Sequence, residues 1–123
     1  MKPPILFRLL FIGIICLACN NNFTITEQST KRCSIYPNYK GITIPYNICP
    51  LNFYVDSVET GFVRFESNVT KNYIDTKISN HKIDINPKDW SRILQETKGN
   101  RLYVSVVDEN GVSYQQFVMI VAN

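Results

Sequence analysis

The stretch RLYVSVVDENGVSYQQFVMIVA, residues 101–122, constrains the fold of this chain more than any other. Leu102, Val104 and Val106 recur at every second position, the period of a strand with one buried face. Asn110-Gly111 is the strongest short signal for a hairpin turn, because both residues tolerate the positive φ that such turns require. Tyr114 through Val121 then reads as the return strand. Its last residues, FVMIV, are apolar at every position and predict cover on both faces.

The rest of the chain repeats this logic in shorter pieces. ITIPYNI holds Pro45 at its centre, which confines it to an edge or bulged strand. LNFYVDSV places Leu51, Phe53 and Val55 on one face, and GFVRFESNV sets Phe62, Arg64 and Glu66 opposite Val63, Phe65 and Ser67. YIDTKIS and HKIDIN follow, divided by the turn-like Ser79-Asn80. One segment breaks the pattern: NPKDWSRILQETKGN predicts a helix over about 87–98. Asn86 serves as its cap, Pro87 as its first residue, Asp89 as the capping-box carboxylate and Gly99 as its terminator. Trp90, Ile93, Leu94 and Thr97 make its apolar stripe. Seven Tyr and seven Phe, with abundant Ile and Val, favour strands. The expected fold is all-β, an immunoglobulin-like β-sandwich of about six or seven strands with one short crossover helix. The Cys…Trp…Cys arrangement of true immunoglobulin domains is absent, so the expectation concerns architecture alone.

The opening, MKPPILFRLLFIGIICLACNNN, is an address. Lys2 and Arg8 lie at the start, and the run from Ile5 to Ala18, apolar apart from Arg8, is shorter than the roughly 20 residues of a spanning helix and fits a secretory signal. Leu17-Ala18-Cys19 resembles the end of a bacterial lipobox, although Cys16 stands where Leu, Val or Ile is usual. That resemblance implies lipidation of Cys19 and cleavage before it; the alternative is an ordinary secretory signal with Cys19 incidental. Residues 1–18 form the expected signal peptide, residues 19–34 a flexible tether, and residues 35–123 the β-sandwich domain. Loss of residues 1–18 removes Lys2 and Arg8 and lowers the formal charge from +3 to +1. A nearly neutral domain without a Lys/Arg cluster argues against nucleic acid as partner.

Beyond Cys19 two cysteines remain. In an oxidising compartment Cys33 and Cys49 either bond, closing a loop of about 16 residues worth up to roughly 3 kcal/mol, or stay separate with Cys49 buried as a small hydrophobe. With His81 the single histidine and no CxxC pair, neither a zinc site nor any other metal or cofactor is expected. His81 reads as a solvated turn residue, and Asp56, Glu59 and Glu66 as solvated carboxylates around a hairpin. No phosphate loop, GxSxG or HExxH occurs, so no catalysis is expected. Binding is the alternative to a plain spacer. Tyr36, Tyr39 and Tyr46 cluster and form either a patch for a glycan or protein, or packing for the domain edge.

IYPNYKGITIPYNICPLNFYV, KIDINPKDWSRILQETKGNRLYVSV and the closing QQFVMIVA together resemble the N-terminal module of certain Bacteroidales lipoproteins, across roughly residues 35–122. In those proteins a YPDY…VTIPxNIAPLNF segment opens a sandwich, and Cys49 here stands where they carry a small residue such as Ala. The resemblance implies a non-catalytic spacer or interaction module, lipid-anchored to the outer membrane on its periplasmic or surface face. It also implies a C-terminal, TolB-like six-bladed propeller, which this sequence does not contain. The alternative is a stand-alone glycan- or protein-binding lipoprotein. Asp56-Ser57-Val58 further resembles the O-glycosylation site of exported Bacteroidales proteins, with Ser57 as acceptor.

Overall fold

The computed structural model describes residues 23–123. The expected signal of residues 1–18 and the lipidation site Cys19 lie outside the described residues. Ten strands and one helix follow in the order β1 (Glu27–Gln28), β2 (Ile35–Tyr36), β3 (Thr43–Ile44), β4 (Tyr54–Val55), β5 (Gly61–Ser67), β6 (Tyr73–Ser79), β7 (Lys82–Ile83), α1 (Pro87–Glu96), β8 (Arg101–Asp108), β9 (Val112–Ser113) and β10 (Phe117–Val121). The fold is all-β: a single curled sheet to which every strand belongs, with one short helix against it.

Four long strands make the body of the sheet. β5 pairs antiparallel with β6 on one side and with β8 on the other, so Val63 lies between Thr76 and Val106, and Phe65 between Ile74 and Val104. β10 continues across β8, with Phe117 opposite Val104 and Met119 opposite Leu102. These residues share one face by the two-residue period, and all are buried. The other limb runs β6–β7–β4–β2 and turns Ile35, Val55 and Ile83 toward the same core. Phe53 meets Phe65 and Phe117 edge-on, each with ring centroids 6.4 Å apart.

The helix plugs this core as its stripe requires. Trp90, Ile93, Leu94 and Thr97 are all buried. Trp90 stands at 85° to the Phe65 ring, and its Nε1–H donates to the Ile48 carbonyl at 3.1 Å. Asn86 Oδ1 accepts from the Lys88 and Asp89 amides at 2.9 and 3.1 Å, as a cap should. The Asp89 carboxylate faces Arg92 at 3.6 Å.

Three departures from the sequence reading have physical causes. The hairpin after β8 turns at Asn110-Gly111, but its return strand is split. Val107 opposes Ser113 while Val104 opposes Phe117, a shift of one residue that marks a β-bulge between β9 and β10. At the bulge the Gln115 amide leaves the ladder and donates to the Lys31 carbonyl at 2.7 Å. Residues 19–34, expected as a tether, are laid along the sheet in their described part. Glu27 and Gln28 pair in parallel with Val112 and Ser113, and the Thr26 amide donates to the Gly111 carbonyl at 2.8 Å. FVMIV, expected to be covered on both faces, buries Phe117, Met119 and Val121, whereas Ile120 on the opposite face is 41% exposed. As expected for a strand interrupted by Pro45, Thr43–Ile44 is an edge, paired only with β10.

Candidate functional site

The three tyrosines read together in the sequence are separated by the fold. Tyr39 and Tyr46 are half-buried against the core, and Lys98 Nζ lies 3.9 Å over the Tyr46 ring. Tyr36 instead is the most exposed large apolar side chain among the described residues, at 77%. Its cross-strand neighbour is Tyr54, whose own neighbour on β7 is Lys82. Tyr36, Tyr54 and Lys82 therefore form a row across three adjacent strands, roughly 10 Å from end to end at the usual strand spacing. All three are exposed, while their chain neighbours Ile35, Val55 and Ile83 point into the core.

The row borders two adjoining grooves that share Lys82 and Ile83. One, of about 240 Å³, lies against Tyr36, Tyr54 and Asn52. The other, of about 410 Å³, is lined by Lys77, Ser79 and Asp84 as well. Asn52 is held in place because its Oδ1 accepts the Ile85 amide at 2.8 Å, which leaves its NH₂ donors for the groove. Neither Lys77 nor Lys82 forms an ion pair among the described residues.

His81 braces the row and is not the solvated turn residue expected. Asn80 and His81 both have positive φ, 52° and 68°, and form the two-residue turn between β6 and β7. The His81 amide donates to the Glu59 carbonyl at 3.1 Å, and its carbonyl accepts the Val55 amide at 2.7 Å. Its Nδ1 lies 2.9 Å from the Val55 carbonyl and must carry the proton, since a carbonyl only accepts. The ring stacks on Tyr54 with centroids 5.2 Å apart. The imidazole thus orients a tyrosine.

The remaining residues singled out by the sequence lie apart from this row. Cys33 and Cys49 are free thiols rather than a disulfide: Cys33 is buried in the core, and Cys49, expected to be buried as a separate thiol, is exposed. Burial pushes the Cys33 thiol up, and the charge of Lys40 pulls it partway back. Lys40 Nζ donates to the Cys33 carbonyl and sits 5.6 Å from the Phe117 ring centre. Ser57 is exposed at the rim of a separate hollow shared with Glu59 and Asp108. Asp56 and Glu59 are exposed, while Glu66 lies on the outer face of β5 opposite Tyr73. Among the described residues no group of His, Cys, Asp and Glu gathers to hold a metal ion.

One charged cluster went unread in the sequence. On the outer face of β5, Arg64 meets Asp75 through two hydrogen bonds of 2.8 and 2.9 Å and also donates to the Phe23 carbonyl at 3.1 Å. The Asp75 hydrogen bond, opposed by partial burial, raises the guanidinium above its ordinary value. Tyr73 lies under Arg64 at 4.0 Å, and Phe23 packs on Phe62 at 5.0 Å. This cluster fastens the N-terminal segment to the sheet.

Tyr54, Lys82, Asn52 and Lys77 carried a signal that composition could not supply. Alternation in LNFYVDSV turns Asn52 and Tyr54 away from Phe53 and Val55, and alternation in HKIDIN turns Lys82 and Asp84 away from Ile83 and Ile85. What the sequence lacks is the register that sets these faces side by side. No family model, curated protein or solved structure matches this chain.

Proposed function

We propose that this chain is a non-catalytic binding module of the cell envelope, and that the Tyr36–Tyr54–Lys82 row is its contact surface. The single observation behind this reading is the row itself: two exposed rings and a cation held side by side by backbone pairing and by His81. Exposed tyrosine offers a large, stiff contact area with little conformational entropy to lose, so it suits recognition better than it suits a solvent face. The half-burial of Tyr39 and Tyr46 fits the packing role for those two rings, and Tyr36 is the one of the three whose exposure supports binding. In this reading the curled sheet is a sandwich of immunoglobulin-like type, whose β2–β4–β7 limb is the second layer. The module is carried by a lipid on Cys19 at the outer membrane, as the lipobox resemblance suggests, and in the lipoproteins it resembles such a module stands before a propeller.

Two experiments test the reading. Tyr36→Ala combined with Tyr54→Ala should abolish retention on a glycan array or on envelope extract while leaving the unfolding midpoint within a few degrees of the parent. Unchanged retention, or collapse of the fold, would show these rings to be structural. For the address, Cys19→Ser should leave an unprocessed precursor or a soluble form; unchanged partitioning into membranes contradicts lipidation.

A further inference from the structure

Resting on that reading, we infer that the ligand of the Tyr36–Tyr54–Lys82 row is an anionic saccharide, a sugar chain bearing carboxylate or sulfate groups. The grooves beside the row supply each kind of contact such a ligand needs. Tyr36, and the part of the Tyr54 ring that His81 leaves uncovered, offer apolar surface to the C–H side of a sugar. The Asn52 NH₂ group is free to donate to hydroxyl or ring oxygens, since Ile85 occupies its carbonyl end. Asp84 accepts from hydroxyls in the wider groove. Lys77 and Lys82 line that groove without carboxylate partners among the described residues, two cations against one acid. Two lysines outside any ion pair, beside exposed tyrosines, favour a ligand with negative charge.

The alternative occupant, a peptide added as a further strand, fits this edge poorly. β2 is two residues long and runs directly into Pro37, which has no N–H to offer. A sugar chain lying across the strands uses side chains rather than the ladder and escapes this restriction. Phosphate-bearing lipid headgroups share the anionic chemistry and are distinguished in the test.

The test is titration calorimetry of the full chain with oligogalacturonate, alginate oligomers and heparin oligosaccharides, at 50 and 300 mM salt. Dextran and anionic phosphatidylglycerol vesicles serve as controls. At least one charged oligomer should bind, dextran should not, and affinity should fall with salt. Lys77→Ala with Lys82→Ala should weaken binding at least tenfold and flatten the salt dependence. Tyr36→Ala should weaken it equally at both salts, and Lys88→Ala on the helix should change nothing. If no charged oligomer binds, or if Lys88→Ala costs as much as the groove pair, the inference is overturned. Binding to vesicles alone overturns it in favour of a lipid surface. Binding to dextran that needs the tyrosines but not the lysines overturns the anionic class while leaving the binding module intact.

Discussion

Gly61 is the residue at which the sheet is least forgiving. Its φ of 155° and its closeness to β8 mean that a Cβ there would stand 2.0 Å from the Val107 carbonyl oxygen. Gly61→Ala should therefore force β5 away from β8 and cost about 3 kcal/mol, measured by denaturant unfolding. A cost under 1 kcal/mol would mean the strands separate easily. The cysteines make a second residue-scale prediction. Cys49 should take up a thiol reagent within minutes and Cys33 only on the timescale of opening, as peptide mapping by mass spectrometry would show. Because burial raises the Cys33 thiol, the fold favours its neutral form: that contribution is complete below the ordinary thiol value and is lost as pH rises from there through the raised folded value. Single residues were legible in the sequence where their chemistry acts locally. Asn86 and Pro87 start the helix because capping depends on neighbours in the chain, whereas Gly99 does not end it: Thr97 is the C-cap, and the Gly99 amide donates to the Val121 carbonyl at 2.7 Å. His81 was misread because its partners, Val55, Glu59 and Tyr54, are 22 to 27 positions away in sequence.

At the level of elements, the helix is tied to the β5–β6 turn by Glu96. Its Oε1 accepts from Thr70 Oγ1 at 2.7 Å and from Asn72 Nδ2 at 2.8 Å. The Thr70 and then the Asn72 hydrogen bond hold its carboxyl below the ordinary range. A carboxyl lowered in the folded state stabilises above its unfolded value and loses that effect as pH falls through the folded one. Glu96→Gln should be the less stable protein at pH 7, and the difference should vanish in acid. Chemical denaturation from pH 7 to pH 3 would reveal it, and a gap that persists at pH 3 would contradict the role given to charge. Strands were legible wherever an apolar face alternates over several residues, as in β5, β6 and β8. β1 escaped notice because Glu27 and Gln28 bury no side chain; the strand exists only through backbone pairing with β9. The bulge before β10 was equally hidden, since its extra residue serves Lys31, a distant partner.

For the whole molecule, the all-β class and the position of the helix followed from pattern, whereas the curl of the sheet did not. Curling depends on β8 serving two partners along its length, β10 near its start and β9 near its end, and no local signal encodes that sharing. The candidate site has the same origin. In the sequence Tyr36 stands with Tyr39 and Tyr46, yet its neighbours in the proposed contact row, Tyr54 and Lys82, are set beside it only by register. The central claim is that this row, and not the opposite face of the sheet, meets the ligand. It is tested most directly by following backbone amide resonances of the full chain during titration with oligogalacturonate. The account predicts shifts concentrated at Tyr36, Asn52, Tyr54, Lys77 and Lys82. Shifts centred instead on Tyr103 and Ile120, or none at all, would contradict it.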